Sequence, residues 1–333
     1  MLFMYRVGLI ISKIIAIIKK IPTMLVKMFS RDSFFNCEDF VFVVILLKEI
    51  IYKFMNSTDT NINLVKPKVA LVLGGGGFKG FAHIGVLKAL KEIGFKPDIV
   101  AGCSMGAIIG ACYALGLDAD QLETRAKELS MTEILDIKIP NGYGFIKGDK
   151  AEKVIKKFLS VGKEVPKFID CKIPFGCVAS DISEGKLVSL TRGDLLPAVR
   201  ASFSINGVFW PVQIGKKKLT DGGIFCRVPV NLARAMGADL VFAVDCIGKT
   251  MPEDIDKMKY LDTVARIFNL MDYEISKDEI NSADLLLSLS QPNVSAIKVK
   301  NADESINLGY QEAMKIKDKI LDLRSKKRWK KRT

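Results

Sequence analysis

Residues 69–106 confine the possible folds more tightly than any other part of the chain. They hold two glycine-rich turns, Gly74-Gly75-Gly76-Gly77-Phe78-Lys79-Gly80 and Gly102-Cys103-Ser104-Met105-Gly106, each set between a short apolar run and a helical pattern. Val69 to Leu73 is continuously apolar, as expected of a parallel strand covered on both faces. Residues 79–93 then put Ala82, Val86, Leu87, Leu90 and Ile93 on one side and Lys88, Lys91 and Glu92 on the other, the pattern of an amphipathic helix. Ile99 to Ala101 reads as the next strand and Met105 to Leu115 as the next helix. This alternation predicts an α/β fold with a mostly parallel central sheet and helices on both faces. Each turn ends a strand and opens a helix, so both aim backbone N–H groups at one place.

Further elements follow from the same reasoning. Residues 117–160 read as helical and surface-facing, around a glycine-containing break at Asn141 to Gly144. Residues 174–190 read as a hairpin turning at Ser183-Glu184-Gly185-Lys186, and 207–220 as a strand pair around Gly215-Lys216. Leu240 to Val244 and Leu285 to Leu289 are apolar strands, and 309–324 is a last helix.

Charge divides the chain into three parts. The net charge is +13. Residues 1–31 carry six basic residues and no acid, and residues 324–332 carry seven and no acid, so the ends account for all of it. This argues against a nucleic-acid groove through the middle, and the tail's only aromatic is Trp329. In the first segment Arg6, Lys13, Lys20 and Lys27 recur every seven residues and form one stripe on an otherwise apolar helix. Lys13 interrupts the apolar run, which disfavours both a cleaved signal peptide and a spanning helix. The pattern predicts a helix lying on an anionic membrane surface. The expected organisation is a membrane-associating region and linker over 1–65, one catalytic domain over 66–325 and a basic tail over 326–333. Seven cysteines without a C-x-x-C pair point to reduced thiols and a cytoplasmic location at the membrane periphery.

The second turn has the pattern Gly-x-Ser-x-Gly between strand and helix, the nucleophile elbow. It nominates Ser104 as a nucleophile, with Gly102 and Gly106 permitting the tight turn. The first turn is suited to an oxyanion hole, because Gly75, Gly76 and Gly77 can present successive N–H groups to a developing negative charge. Gly75-x-Gly77-x-x-Gly80 also matches a dinucleotide fingerprint. That reading needs an acid at the end of the next strand, and Asp98 precedes the strand instead. A phosphate-binding P-loop is excluded, since neither Lys-Ser nor Lys-Thr follows Gly80. A serine nucleophile needs a base. The chain has one histidine, His83, and it lies upstream of Ser104 in the helix after the glycine turn, a setting that suits a structural histidine. The base then falls to a carboxylate. Asp221-Gly222-Gly223 follows a strand and offers one in an exposing turn.

Taken together, Gly75–Gly80, Gly102–Gly106 and Asp221-Gly222-Gly223 resemble, in order, the three motifs of the patatin-like phospholipases. The flanks 82–90, 199–211 and 221–230 resemble bacterial members, and the likeness extends over roughly 67–325. The resemblance implies a patatin-like three-layer α/β/α sandwich and a Ser-Asp dyad without histidine or cofactor. It implies Ser104 as nucleophile, Asp221 as base, and Gly75, Gly76, Gly77 and the Met105 N–H as oxyanion hole. Lys79 takes the family's basic position, suited to a phosphate head group. Asn206 stands where members often have proline, and Cys226 where they often have asparagine. The expected activity is hydrolysis of lipid acyl esters at a membrane. The alternatives are a non-catalytic membrane-bound scaffold and a dinucleotide-binding oxidoreductase.

Overall fold

The computed structural model describes residues 62–129, 131–134, 146–160, 165–248, 260–291, 302–325 and 328–331. Residues 1–61 of the membrane-associating region and linker expected over 1–65, and the glycine-containing break at 141–144, lie outside these. Among the described residues no helix is long and apolar enough to cross a membrane. One compact unit spans Leu64–Lys330.

The core of this unit is an eight-stranded sheet. In chain order its elements are β1 (Val69–Leu73), α1 (Ala82–Glu92), β2 (Ile99–Gly102), α2 (Met105–Leu115), α3 (Ala119–Lys127), α4 (Met131–Ile134), α5 (Asp149–Leu159), β3 (Phe175–Asp181) and β4 (Lys186–Leu190). There follow α6 (Leu195–Ser202), β5 (Val212–Ile214), β6 (Lys217–Asp221), α7 (Val230–Ala235), β7 (Leu240–Asp245), α8 (Tyr260–Asn281), β8 (Leu285–Ser288), α9 (Ala302–Lys315) and α10 (Lys317–Ser325). The strand order is β5-β6-β3-β2-β1-β7-β8, with β4 also paired to β3. Neighbours from β3 through β8 run parallel, whereas β4 and β6 pair antiparallel to β3 and β5 antiparallel to β6. The sheet is therefore mixed, with a parallel half and an antiparallel edge.

Period-two geometry divides the apolar strands between two cores. Val69, Leu71 and Leu73 of β1 pack with α1, α2, α5 and α9 on one face, while Ala70 and Val72 pack with α7 and Ile280 of α8 on the other. β7 repeats the division, sending Leu240, Phe242 and Val244 one way and Val241 and Ala243 the other. Helices cover both faces, giving the expected α/β/α sandwich. The face with the larger side chains carries more helices, as the greater apolar surface to be covered requires.

Three local expectations need adjustment. The helix expected over 79–93 begins instead as a 3-10 turn, Gly77–Phe81, before α1. The last helix is two helices meeting at Ile316, whose N–H donates to Ala313 in a tightened i−3 bond. The helices of 117–160 are amphipathic and not simply surface-facing, for Leu122, Ala126, Ile155, Phe158 and Leu159 are buried. Two further short strands, Ile62–Val65 and Arg328–Lys331, stand outside the sheet, where the sequence predicted linker and tail.

Candidate active site

The site forms where β1 and β2 end side by side. Register pairs Leu73 with Gly102, so the two glycine turns leave the sheet next to each other. Ser104 has φ 53° and ψ −124°, the single non-glycine residue with positive φ among the described residues. Such a conformation costs ~1–3 kcal/mol and persists only when its surroundings enforce it. They do so here through close backbone approach. A Cβ on Gly106 would stand 2.1 Å from the Leu73 carbonyl oxygen, and one on Gly102 2.5 Å from the Gly106 oxygen. Below the turn, the Cys103 N–H donates to Leu73 at 3.1 Å, and the Ser104 N–H donates to the buried Ser202 hydroxyl at 3.0 Å.

Asp221 arrives from the opposite side of the sheet order. β6 runs antiparallel to β3 and pairs Asp221 with Ala179, which delivers the aspartate beside the elbow. Its carboxylate accepts the Gly223 N–H at 2.8 Å and the Cys103 thiol at 3.7 Å, and the Ser104 side chain hydrogen-bonds to it. Both partners are nearly closed to solvent, at 4% exposure for Ser104 and 7% for Asp221. Burial pushes the Asp221 carboxyl up to about 6, against the lowering effect of those hydrogen bonds. Gly222 packs against Val178, where a Cβ would meet the Val178 side chain at 2.7 Å.

The structure sets Gly75 and Asp221 against Ser104 and carries the other nominated residues on the same two turns and the Asp221 loop. Gly76 (φ 154°) and Gly77 (φ 55°) adopt backbone conformations that favour glycine and lead into the 3-10 turn. Met105 is the first residue of α2. The N–H groups of Gly77 and Met105 precede the first internal bonds of their helices, as does that of Gly76 at its cap, so they can serve an external acceptor. Gly75 cannot, because its N–H donates to the Arg227 carbonyl at 2.9 Å. Its contribution is to allow close approach, since a Cβ there would lie 3.4 Å from Ser104 Cβ. Gly80 leaves room for Met105, whose side chain a Cβ would meet at 2.6 Å. Lys79 is half-buried on the same turn, and its carbonyl accepts from Gln291 at 3.0 Å.

His83 is fully buried, with Nε2 donating to the Gly74 carbonyl at 2.8 Å and the Cys246 sulfur within 3.5 Å of both ring nitrogens. Burial lowers its pKa to about 4, so it is neutral at physiological pH. The donor to Gly74 identifies a structural histidine that supports the glycine turn. His83→Gln, which can keep an N–H donor, is expected to leave the serine's reactivity within about threefold of the parent, measured as labelling rate, consistent with the worth of one neutral hydrogen bond. Asp98 bonds the Val69 N–H at 2.7 Å, at the opposite end of β1 from the glycine turn. It is therefore unavailable to a ribose at that turn.

The two departures from the family pattern support the backbone. Asn206 lies 2.7 Å from the Thr220 hydroxyl, one residue before Asp221. Cys226 closes the Asp221 turn through its N–H to Gly222 at 2.9 Å, and burial pushes its thiol well up. Sequence reasoning missed Ser202, Arg227 and Asp272. Ser202 lies inside the quoted flank 199–211 but had no motif of its own. Arg227 likewise lies inside the flank 221–230, and only the fold joins it to Asp272.

Comparison with known proteins bears on the family and fold of this domain. Residues 71–234 match the patatin-like phospholipase family model. An uncharacterized NTE family protein of Mycobacterium tuberculosis is 37% identical over 185 residues, 55% of this chain and 50% of that protein. Lysophospholipase NTE1 of Coccidioides immitis is 37% identical over 188 residues, 53% of this chain and 11% of the fungal protein. The chain thus spans about half the length of the mycobacterial relative and a small part of the fungal one. Among solved structures, VipD from Legionella pneumophila matches in fold with a TM-score of 0.52, at 15% identity, over 80% of this chain and 68% of that one. Through the domain that holds these two turns and the Asp221 loop, the chain belongs to the patatin-like phospholipase family.

Proposed function

We propose that the protein is a serine acyl hydrolase that cleaves lipid acyl esters with Ser104 as nucleophile and Asp221 as base. The observation that carries this reading is the meeting of a strained, nearly buried serine with a buried carboxylate of raised pKa, with no ionisable histidine in reach. Ser104 Oγ attacks the ester carbonyl carbon while its proton passes to Asp221, and the carbonyl π pair moves to oxygen. The N–H groups of Gly76, Gly77 and Met105 stabilise that oxyanion. Collapse of the intermediate breaks the acyl C–O bond, and Asp221 returns the proton to the leaving alcohol. Water then attacks the acyl-enzyme, again giving its proton to Asp221, and Ser104 is regenerated.

The side chains beside Met105 are apolar but close-packed around a void of about 20 Å³, room for a water and not for an acyl chain until they part. The void is lined by Phe78, Phe81, Ile108, Ile155, Phe158 and Phe203 among others, all apolar. The fungal relative's name, lysophospholipase, supports a phospholipid or lysophospholipid substrate. In this reading Lys79 draws the phosphate, and the basic ends of the chain hold the enzyme at an anionic membrane.

The test is labelling by a fluorophosphonate, which reacts with activated serines. Labelling of the parent protein, lost in Ser104→Ala, is the expected result; no labelling with or without lipid vesicles would remove the hydrolase reading in favour of the scaffold. The pH profile adds a second check. Asp221 must be ionised to accept a proton, so the rate falls as pH drops through about 6. A rate unchanged down to pH 4.5 would be incompatible with Asp221 as base.

A further inference from the structure

The glycine turn has a support of its own, a buried cluster in which Arg227 bonds Asp245 at 3.0 Å and Asp272 at 3.2 Å while its carbonyl holds Gly75. The serine and the aspartate are gripped from elsewhere, by the turn that ends α6. Ser202, the last residue of that helix, is fully buried, and its hydroxyl accepts the Ser104 N–H at 3.0 Å across 98 positions of sequence. Two residues on, the Ser204 carbonyl accepts the Asp221 N–H at 2.8 Å and the Thr220 hydroxyl at 2.6 Å. Ser204 is fully buried too. Its hydroxyl donates to the Arg200 carbonyl at 2.9 Å and accepts from the Arg200 guanidinium, whose Nε donates to the Gly148 carbonyl at 3.3 Å. The Phe209 ring lies 5.1 Å from that guanidinium carbon. One short span thus touches both members of the dyad and is itself braced by a buried arginine.

The bond to Ser104 matters because of where it falls. Ser104 caps α2, and its carbonyl accepts from Ala107 at 2.9 Å and Ile108 at 3.2 Å. Its N–H precedes the helix and has no acceptor within it. The glycines on either side make room for φ 53°, and the Ser202 hydroxyl adds an attraction that favours it. Without that hydroxyl a buried N–H would stand unpaired. The elbow would then gain by turning the group towards another acceptor, which carries the serine side chain away with it.

We propose that Ser202 is a positioning residue for Ser104: its hydroxyl fixes the nucleophile's backbone in the elbow, while the Ser204 carbonyl of the same turn fixes Asp221 beside it. The spacing of the dyad is then set by a short stretch of backbone, not by two remote strands alone. The grip also commits the Ser104 N–H, leaving the oxyanion to the donors of Gly76, Gly77 and Met105. The catalytic meaning rests on Ser104 being the nucleophile; the grip on its backbone does not.

The test compares the full parent chain with Ser202→Ala, Ser202→Thr and Ser180→Ala. Ser180 is the matched control. It is fully buried on β3, paired in register with Thr220, and its hydroxyl has no hydrogen-bond partner among the described residues. Fluorophosphonate labelling is resolved into a maximal rate and a half-saturating probe concentration, and hydrogen exchange by mass spectrometry follows the peptide that carries the elbow amides. Ser202→Ala should lower the maximal rate roughly tenfold or more. It should leave half-saturation and the acid limb of the pH profile in place, and speed exchange at the elbow. Ser202→Thr, which keeps the hydroxyl, should restore the rate to within about threefold of the parent. Ser180→Ala should change neither readout beyond that margin. Parental labelling by Ser202→Ala overturns the proposal, as does an equal loss in Ser180→Ala. So does a Ser202→Thr protein that melts like the parent yet labels as slowly as the alanine variant. If the parent itself never labels, the hydrolase reading falls alone and exchange decides: faster exchange at the elbow in Ser202→Ala only sustains the grip, and unchanged exchange overturns it.

Discussion

Asp221→Asn is expected to lose esterase activity by a factor of roughly 10²–10⁴, the usual worth of a general base, while becoming more stable at neutral pH. The two effects share a cause. Burial raises the carboxyl from the ordinary 3.8 to about 6, so the folded protein binds this proton more tightly than the unfolded chain does. The folded state is accordingly not penalised below pH 3.8. It loses stability as pH rises through 6, by about 3 kcal/mol at pH 7 for a shift of this size. Asparagine never ionises, yet it retains an oxygen for the Gly223 N–H. Urea unfolding of parent and variant at pH 7 and pH 4 reads this directly. The variant should be the more stable at pH 7, and the gap should shrink towards pH 4. A variant less stable than the parent at pH 7 would mean that the ionised carboxylate is a net stabiliser, contrary to its environment.

Gly85→Ala should produce the largest loss of stability available from a single methyl group. α1 and α9 cross with their backbones in contact. A Cβ on Gly85 would stand 1.8 Å from the Ile306 carbonyl oxygen and 2.6 Å from the Tyr310 nitrogen. The contact is reciprocal, since a Cβ on Gly309 would lie 2.0 Å from the Ala82 oxygen. Backbone atoms cannot rotate aside, so the helices must separate and open the core between them. The expected cost is ~3 kcal/mol or more, at the upper end for overpacking, or roughly 6–12 °C in Tm. Gly94→Ala is the informative contrast. It has φ 69° but nothing within 4 Å, so only backbone strain of ~1 kcal/mol applies. Similar losses from both would show that the α1–α9 crossing yields easily and is not a rigid contact.

Much of this architecture was legible because its signals are local. The β1 and β2 runs, the α2 boundaries, the hairpin near Gly185 and the strand pair at Gly215 each follow from apolar period and turn residues within about ten positions. Ser104 was legible for the same reason, because the glycines that permit its strain sit two residues away on either side. Gly75 was misjudged in role because its acceptor, the Arg227 carbonyl, is remote in sequence and a backbone oxygen has no signature. Asp272 was illegible on similar grounds: in the sequence it is one acid among several on an amphipathic helix, and only the fold turns it towards Arg227. The break at Ile316 has no glycine or proline to announce it. Its cause is tertiary, with Ile320 and Leu323 of α10 packing into the main core.

The long separation between the elbow and the Asp221 loop affects the order in which a working enzyme can come into being. Ser104 and its helix leave the ribosome far ahead of β6, and the Arg227 cluster is complete only once α8 has been made. Contacts of such range form late, because the intervening chain must first surrender its entropy. If Asp221 is the base, a growing or truncated chain that ends before residue 221 possesses the serine but lacks the carboxylate that activates it. On the proposed mechanism, topology alone would keep the nucleophile inert throughout synthesis.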